Sequence, residues 1–249
     1  MADVQHGDAE RSAHEIDVVE IVRGRPEAPV FLTCEHASQR MPPPWSWPAT
    51  DQRLVGTHWA YDLGARELTL DLSRALDATF VMARFSRLLV DPNRPEDSPT
   101  LFRVEADGAP VELNASLDDA ERERRLAAYH RPFHAAVDRE LARTSAPIVM
   151  AVHTYTDLYE GQRRWLEAGV LFDREEALAE RMLGELRAEG IHTEPNEPWS
   201  GKAGLIHVAQ THADRHGRRA IEIELRQDLA VDRGFRARVV PALVRSLVG

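Results

Sequence analysis

Apolar and charged residues alternate along residues 221–229, where the sequence is IEIELRQDL. This period of two predicts a β-strand with four charged side chains on one face, namely Glu222, Glu224, Arg226 and Asp228. An edge strand in water carries such charges at little cost, which is the ordinary explanation of the pattern. An interior strand must instead give each carboxylate an arginine, a metal ion or a substrate, because a buried unpaired charge is destabilising. The pattern alone leaves both interpretations open.

Hydrophobic periodicity along the rest of the chain predicts alternating strands and helices. Strands are expected over residues 29–34, 79–82, 88–91, 148–152, 169–172 and 220–225, and helices over 62–76, 116–143, 175–189, 205–216 and 235–248. Asp62 and Ser116 stand where they would cap the first two helices. The alternation favours a mixed or mostly parallel sheet with helices on both faces, in which ligands bind beyond the carboxyl ends of the strands.

Composition narrows the function classes. Residues 1–17 lack a sustained apolar period, so a disordered N-terminal arm is expected before a single domain at 18–249. The 31 Lys and Arg residues against 41 Asp and Glu residues give a net charge of −10, which argues against a nucleic-acid partner. The single cysteine, Cys34, excludes an internal disulfide and favours the cytoplasm. No apolar run is long enough to cross a membrane.

Two histidines follow predicted buried strands and suggest a metal site. His36 comes after the strand at 29–34, and His153 comes after the strand at 148–152. Each alone is more typical of a structural histidine, but sheet topology can bring strand ends together. A catalytic zinc ion takes three protein ligands and keeps one position open for water. Asp62 and Glu35 are the candidate carboxylate ligands, and the sequence does not decide between them.

Two further groups fit a hydrolase that acts on a carboxylate-bearing substrate. Asn93 and Arg94 follow the predicted strand at 88–91, and their amide and guanidinium groups can hold a carboxylate. A salt-bridged loop is the alternative explanation of this pair. Glu224 is a candidate general base, because a carboxylate beside an activated water can accept its proton.

Six motifs in order along residues 30–229 resemble the N-formylglutamate amidohydrolase family. They are CEHAS at 34–38, HWAYDLGA at 58–65, SRLLVDPNR at 86–94, RPFH at 131–134, HTYT at 153–156 and ELRQDL at 224–229. That family is similar in fold to the zinc carboxypeptidases, and the resemblance implies a three-layer α/β/α sandwich around a mixed, mostly parallel sheet. It also implies hydrolysis of an N-acyl bond in a small molecule that carries a carboxylate, such as N-formyl-L-glutamate.

The resemblance further implies one zinc ion, with His36 and His153 as its histidine ligands. Carboxypeptidases place a glutamate ligand three residues after the first histidine, but this chain has Gln39 there. The carboxylate ligand is therefore expected elsewhere, with Asp62 preferred and Glu35 second.

The remaining assignments also come from the resemblance. Glu224 is the expected general base, and Asn93 and Arg94 are expected to hold the substrate's carboxylate. Arg87 or Arg226 is expected to hold a second charge or to stabilise the oxyanion. Tyr155 and His134 are weaker substrate-binding candidates. His130 and His212 are expected to line the pocket or to pack.

Three other functions stay open from the sequence. A zinc peptidase is the nearest, and a carboxylate-binding module without catalysis is the most different in kind. A cysteine hydrolase would use Cys34 with His36 or His153. The apolar strand around Cys34 argues against it, because burial raises the pKa of a thiol and lowers its reactivity.

Overall fold

The computed structural model describes residues 17–159 and 161–248, and the predicted arm at 1–17 lies outside these residues apart from Asp17. The strands of the main sheet are β1 (Val19–Val22), β2 (Phe31–Cys34), β3 (Phe80–Ala83), β4 (Ile148–Tyr155), β5 (Ala168–Leu171), β6 (Thr193–Pro195) and β7 (Arg219–Arg226), and two small hairpins pair Glu105–Ala106 with Ala109–Pro110 and Leu158–Tyr159 with Gln162–Arg163. They form one sheet in the order β1-β3-β2-β4-β7-β5-β6. Strands β3, β2, β4 and β7 run parallel, whereas β1 pairs antiparallel with β3 and β5 with β7. The predicted mixed, mostly parallel sheet is confirmed.

Helices cover both faces of this sheet. They are α1 (Ala65–Leu76), α2 (Asp119–Arg125), α3 (Arg131–Leu141), α4 (Glu176–Ala188), α5 (His207–His216), α6 (Gln227–Ala230) and α7 (Arg233–Val248). Apolar residues of α1, α4 and α7 share one core with Leu32 and Val152 of the sheet. Those of α3 and α5 share the second core with Phe31 and Val149, which point the other way along the same strands. The predicted three-layer α/β/α arrangement is therefore confirmed. Among the residues described, no helix is long and apolar enough to cross a membrane.

The predicted helix at 116–143 is present as a continuous helical run over residues 119–141, but it is not α-helical throughout. It is divided into α2 and α3 by a π-helical turn, Leu126–His130. Pro132 explains the interruption, because it has no N–H to donate to the carbonyl four residues earlier. The N-cap is Asp118 rather than Ser116, since its carboxylate accepts a hydrogen bond of 2.7 Å from the amide of Glu121.

The predicted strand at 88–91 is also wrong. Residues 86–94 form a series of turns whose apolar members, Leu88, Leu89 and Val90, are buried in two different cores. A short apolar run is compatible with a buried loop as well as with a strand, so periodicity could not distinguish them. The loop ends in Asn93 and Arg94, beside the carboxyl ends of the parallel strands.

Helix α1 begins three residues later than predicted. Its N-cap is Gly64, which has a φ of 86°, and the Asp62 side chain makes no cap. A Cβ atom at Gly64 would lie 2.6 Å from the carbonyl carbon of Ala230, so glycine is required both by the backbone angle and by this close approach. The expectation that Asp62 caps this helix is wrong, and its carboxylate is free to turn toward the sheet.

Strand β7 lies in the interior of the sheet, between β4 and β5. Glu222 is 2% exposed and Glu224 is 5% exposed, so the edge-strand interpretation is wrong. Both glutamates lie on the face opposite Ile221 and Ile223. The predicted alternation ends at Arg226, because the next residue already belongs to α6.

Candidate active site

A cavity of about 240 Å³ opens at the carboxyl ends of β2, β4 and β7. His36 lies just beyond β2, His153 lies in β4, which continues two residues past it, and Glu224 lies in β7. Parallel strands present their carboxyl ends at the same edge of a sheet, so three distant segments meet there. Asp62 reaches the same cavity from the loop before α1.

His36, Asp62 and His153 converge on one point. Their ligand atoms lie within 4.8 Å of one another, and all three side chains are buried. His153 Nδ1 is 2.8 Å from Asp62 Oδ2, and His36 Nδ1 is 3.4 Å from the same oxygen. Both imidazoles thus direct Nδ1 toward the carboxylate oxygen that they share.

The outer nitrogens of the two histidines face other carboxylates. His36 Nε2 hydrogen-bonds to Asp91 Oδ1 at 2.7 Å, and His153 Nε2 lies 2.7 Å from Glu35 Oε2. A carboxylate behind each ring holds the proton on Nε2 and leaves Nδ1 free to bind a metal ion. Of the two candidate carboxylates, Asp62 therefore stands inside the triad, and Glu35 stands behind His153.

These three residues could hold a metal ion. His36 Nδ1 is buried and has no hydrogen-bond partner among the residues described, which is unusual for a polar atom in a protein interior. Two imidazole nitrogens and one carboxylate oxygen form a donor set that catalytic zinc sites use. A cation between the Nδ1 atoms and Asp62 would satisfy the orphaned nitrogen.

Asp62 is held from several directions. Its Oδ2 accepts a hydrogen bond of 3.2 Å from the backbone amide of Thr154, and its Oδ1 accepts one of 3.3 Å from Arg87. Arg87 also donates to Asp91 Oδ2 at 3.2 Å. The Arg87 guanidinium therefore links Asp62 to Asp91.

Burial and neighbouring positive charge shift the pKa of Asp62 and Asp91 in opposite directions. Burial by itself would raise the pKa of each carboxyl group. At Asp62, the neighbouring His36 and His153 lower the pKa well below its usual value. At Asp91, His36 and Arg87 have the same effect on the pKa. Both acids are therefore carboxylates in the folded protein over the neutral pH range.

The opposite shift occurs at the two glutamates of β7. Burial raises the pKa of Glu222 to about 7, and burial together with Glu222 raises the pKa of Glu224 well above its usual value. Burial would lower the pKa of His153, but Glu222, Asp62 and Glu35 raise it well above that of an ordinary histidine. The acids of the site are thus close enough together that each favours positive charge, or a proton, on its neighbours.

Glu224 stands beside His153 in the register of adjacent parallel strands β7 and β4. Its side chain lines the cavity, and its Oε2 atom is buried without a hydrogen-bond partner in the described part of the chain. A carboxylate in this position can accept a proton from a water molecule in the cavity.

Asn93 and Arg94 both line the cavity. The Asn93 side-chain oxygen accepts a hydrogen bond of 3.1 Å from the amide of Val208, and its nitrogen lies 3.5 Å from His153 Nε2. The Arg94 side chain is 25% exposed, and its Nε lies 4.0 Å from Asp91 Oδ2. Asn93 is therefore fixed by the fold, whereas Arg94 keeps donors for a ligand.

Arg226 and His134 do not line the cavity. The Arg226 guanidinium binds Asp228 Oδ1 at 2.8 Å and the Trp165 carbonyl at 3.2 Å, so it is occupied on the outer side of β7. His134 Nε2 donates to the carbonyl of Pro92 at 3.1 Å. The expectation that these two residues contact substrate is not supported by where the structure places them.

The other expected positions have structural partners. Tyr155 lines the cavity, but its hydroxyl donates to the Leu166 carbonyl at 2.6 Å. His130 Nε2 donates to the Arg94 carbonyl at 2.9 Å, and His212 lies 2.9 Å from His134 Nδ1. These histidines hold the loop that carries Asn93 and Arg94.

Cys34 and Gln39 do not line the cavity. Cys34 is buried in the core shared with α1, α4 and α7, and burial raises the pKa of its thiol, so it cannot act as the nucleophile. The Gln39 side-chain oxygen accepts a hydrogen bond of 2.6 Å from the amide of Gly56. Gln39 thus supports the loop around Gly56.

Sequence reasoning missed several members of the site. Asp91 lies inside the motif at 86–94, but the motif alone assigns it no role. Its position directly before Pro92, Asn93 and Arg94 indicates that it lies at the same edge of the sheet as those residues. Arg103, Arg164 and three aromatic residues also line the cavity, namely Trp59, Tyr159 and Trp199. Trp59 lies inside the motif at 58–65 but was given no role there, and the other four come from segments without a motif.

Comparison with known proteins agrees with this geometry. The model of the family described as "N-formylglutamate amidohydrolase" matches residues 28–231. The N-formylglutamate deformylase of Pseudomonas aeruginosa is 30% identical over 149 residues, which is 52% of this chain and 51% of the relative. The matched region thus spans about half the length of that relative.

Two solved structures cover most of the chain. A gene product of Agrobacterium tumefaciens is 31% identical with a TM-score of 0.86, covering 95% of each chain. An N-formylglutamate amidohydrolase from Ralstonia eutropha is 20% identical with a TM-score of 0.65, covering 93% of this chain and 97% of the other, and supports the fold. Since the family model covers most of its length, this chain belongs to the N-formylglutamate amidohydrolase family.

Proposed function

We propose that the protein hydrolyses the N-acyl amide bond of an amino acid, with N-formyl-L-glutamate as the first candidate substrate. The observation that carries this proposal is the meeting of His36, Asp62 and His153 in one cavity with Glu224 on the neighbouring strand. Membership of the family and the resemblance to a deformylase support the choice of bond.

The metal ion in this proposal is zinc, held by His36 Nδ1, Asp62 and His153 Nδ1. When bound, zinc supplies a Lewis acid that polarises a carbonyl group and lowers the pKa of water toward about 7. Asp91 and Glu35 keep the proton on the outer nitrogen of each histidine, which fixes the rings. Arg87 positions the site by joining Asp62 to Asp91, rather than by contacting the oxyanion.

Glu224 is the proposed general base. It accepts a proton from the water molecule whose oxygen attacks the acyl carbon, and it returns that proton to the amide nitrogen as the C–N bond breaks. The products are the carboxylic acid of the acyl group, formate in the first candidate, and the free amino acid. Arg94 holds a carboxylate of the substrate, and Asn93 anchors the loop that carries Arg94 by accepting the hydrogen bond from Val208.

The proposal is tested by metal analysis, followed by a screen of the zinc-loaded protein. Substrates are formyl, acetyl and longer acyl amino acids together with dipeptides, with release of the free amine as the readout. Hydrolysis of formyl amino acids supports the proposal. Preference for dipeptides would instead identify a peptidase, and binding of these compounds without turnover would identify a carboxylate-binding module.

Glu224→Gln tests the base. We expect kcat to fall by about 10²- to 10⁴-fold while zinc content and substrate affinity are kept. Glu222→Gln is the matched control, since Glu222 lies on the same face of β7 but one strand repeat deeper. If Glu222→Gln lowers kcat by this factor and Glu224→Gln does not, the general base is Glu222 rather than Glu224.

A further inference from the structure

Two arginines in the cavity have no carboxylate partner. Arg103 and Arg164 both line it, and within residues 17–159 and 161–248 neither forms an ion pair. By contrast, Arg87 is compensated by Asp62 and Asp91. A guanidinium carries five N–H donors, and one long contact of 3.4 Å to the Glu105 carbonyl uses a single donor of Arg103.

Aromatic rings fix the planes of both guanidinium groups. Arg103 lies over the Trp59 ring at 5.0 Å. Arg164 lies over Tyr159 at 4.5 Å and over Trp199 at 4.9 Å. Stacking occupies the flat face of a guanidinium and leaves its edge donors available, so a stacked arginine is ready to bind a carboxylate in a bidentate manner.

The two arginines belong to one part of the cavity. Tyr159 stacks under Arg164, and it is also close enough to Arg103 to interact electrostatically. Burial, with the nearby positive charges of Arg87 and Arg94, lowers the pKa of Arg103. Positive charge is therefore crowded on this side of the cavity, and an anion would relieve the repulsion.

We propose that Arg103 and Arg164 form a second anion subsite, which binds a second carboxylate of the substrate while Arg94 binds the first. This inference rests on the proposed function and narrows its substrate class to N-acyl amino acids with two carboxylates. The second carboxylate belongs either to the amino-acid side chain or to the acyl group, and both present the same chemistry to the two arginines.

The first test measures binding without turnover. Glutarate and butyrate are titrated into the zinc-loaded protein by calorimetry. We expect glutarate to bind about 10- to 100-fold more tightly than butyrate, the range for hydrogen bonds to a charged group. Arg103→Gln and Arg164→Gln remove this preference and leave butyrate binding unchanged. Equal affinity for the two acids, or equal losses for both in the variants, would overturn the subsite.

Two other stacked arginines provide control variants. Arg122 lies over the Phe102 ring at 4.6 Å and Arg163 lies over Trp165 at 5.6 Å, so both are stacked arginines, but neither lines the cavity. Arg122→Gln and Arg163→Gln are expected to keep the full preference for glutarate. Its loss in these controls would mean that general surface charge, rather than the subsite, attracts the dianion.

The second test compares substrates that carry two carboxylates with one that carries a single carboxylate. N-formyl-L-glutamate is compared with N-formyl-L-glutamine for a side-chain carboxylate, and N-succinyl-L-glutamine provides the acyl carboxylate. We expect one of the two dianions to have a KM about 10- to 100-fold lower than N-formyl-L-glutamine, and this advantage to vanish in Arg164→Gln. Turnover of all three without such a difference overturns the subsite. Absence of any turnover, with arginine-dependent glutarate binding intact, refutes the hydrolase and leaves the subsite standing.

Discussion

Replacing Asp91 by Asn tests whether the acid behind His36 supports metal binding. Asp91 Oδ1 accepts the 2.7 Å hydrogen bond from His36 Nε2 and also a 2.9 Å bond from the backbone amide of Asn93. Its Oδ2 faces Arg87 at 3.2 Å. Asparagine keeps the size and one acceptor oxygen of the side chain, but it removes the negative charge that makes the imidazole a stronger ligand.

The expected loss of zinc affinity in Asp91→Asn follows from two independent free-energy ranges. A hydrogen bond to a charged group contributes about 1.5–3 kcal/mol. Loss of a carboxylate behind a ligating histidine weakens metal affinity by about 10- to 100-fold, or about 1.4–2.7 kcal/mol. The two ranges agree. We therefore expect the zinc dissociation constant of Asp91→Asn to rise by about 10- to 100-fold, with little change in the fold.

The assay is zinc competition against a chromophoric chelator, with thermal unfolding of the metal-free protein as the check on folding. Asp97→Asn is the matched control, because Asp97 is exposed six residues further along the same loop. His36→Ala provides the complete loss of a ligand. Wild-type zinc affinity in Asp91→Asn, together with weak binding in His36→Ala, would refute the supporting role of Asp91.

Three further predictions concern stability and substrate binding. Gly64→Ala should lower the free energy of unfolding in urea by more than the ~1–3 kcal/mol cost of a positive φ, because the added Cβ atom also meets Ala230. Gly56→Ala is the control that measures the backbone cost alone, since Gly56 has a φ of 78° and open space around it. Burial would raise the pKa of Glu140, but Arg23 and two further arginines hold it below the ordinary 4.5. Glu140→Gln should therefore cost about 1–2 kcal/mol at pH 7, and less at pH 4, because protonation removes the stabilisation as pH falls; an equal cost at both values contradicts this. His134→Phe should raise KM by up to about tenfold with kcat little changed, because it removes the hydrogen bond to the Pro92 carbonyl that holds the loop carrying Arg94. An unchanged KM in steady-state kinetics contradicts this.

Sequence patterns predicted the fold class and the placement of His36 and His153 at one edge of the sheet. Both follow from strong periodic signals, since apolar runs at 29–34 and 148–152 are strands buried on two faces. It failed where local and tertiary signals competed. Asp62 lies in a typical capping position, but Gly64 begins the helix, and the turn before it delivers Asp62 to partners 91 residues away. Local spacing contains no information on such a contact.

The charged strand shows both the value and the limit of a period-two pattern. Alternation correctly places Glu222 and Glu224 on one face, but it cannot say where a strand ends, so it wrongly adds Asp228, which belongs to α6. Arg226 then pairs with Asp228 outside the cavity instead of compensating the glutamates.

The buried acids of this site create a local environment in which positive charge is favourable. The cavity region holds five buried carboxylates, Glu35, Asp62, Asp91, Glu222 and Glu224. Arg87 compensates only Asp62 and Asp91, and Arg94 approaches Asp91 at 4.0 Å. Buried charges without partners cost several kcal/mol each, so an interior strand with two adjacent glutamates is stable only where positive charge or protons compensate them. A divalent ion at His36, Asp62 and His153 would supply that charge without adding a side chain.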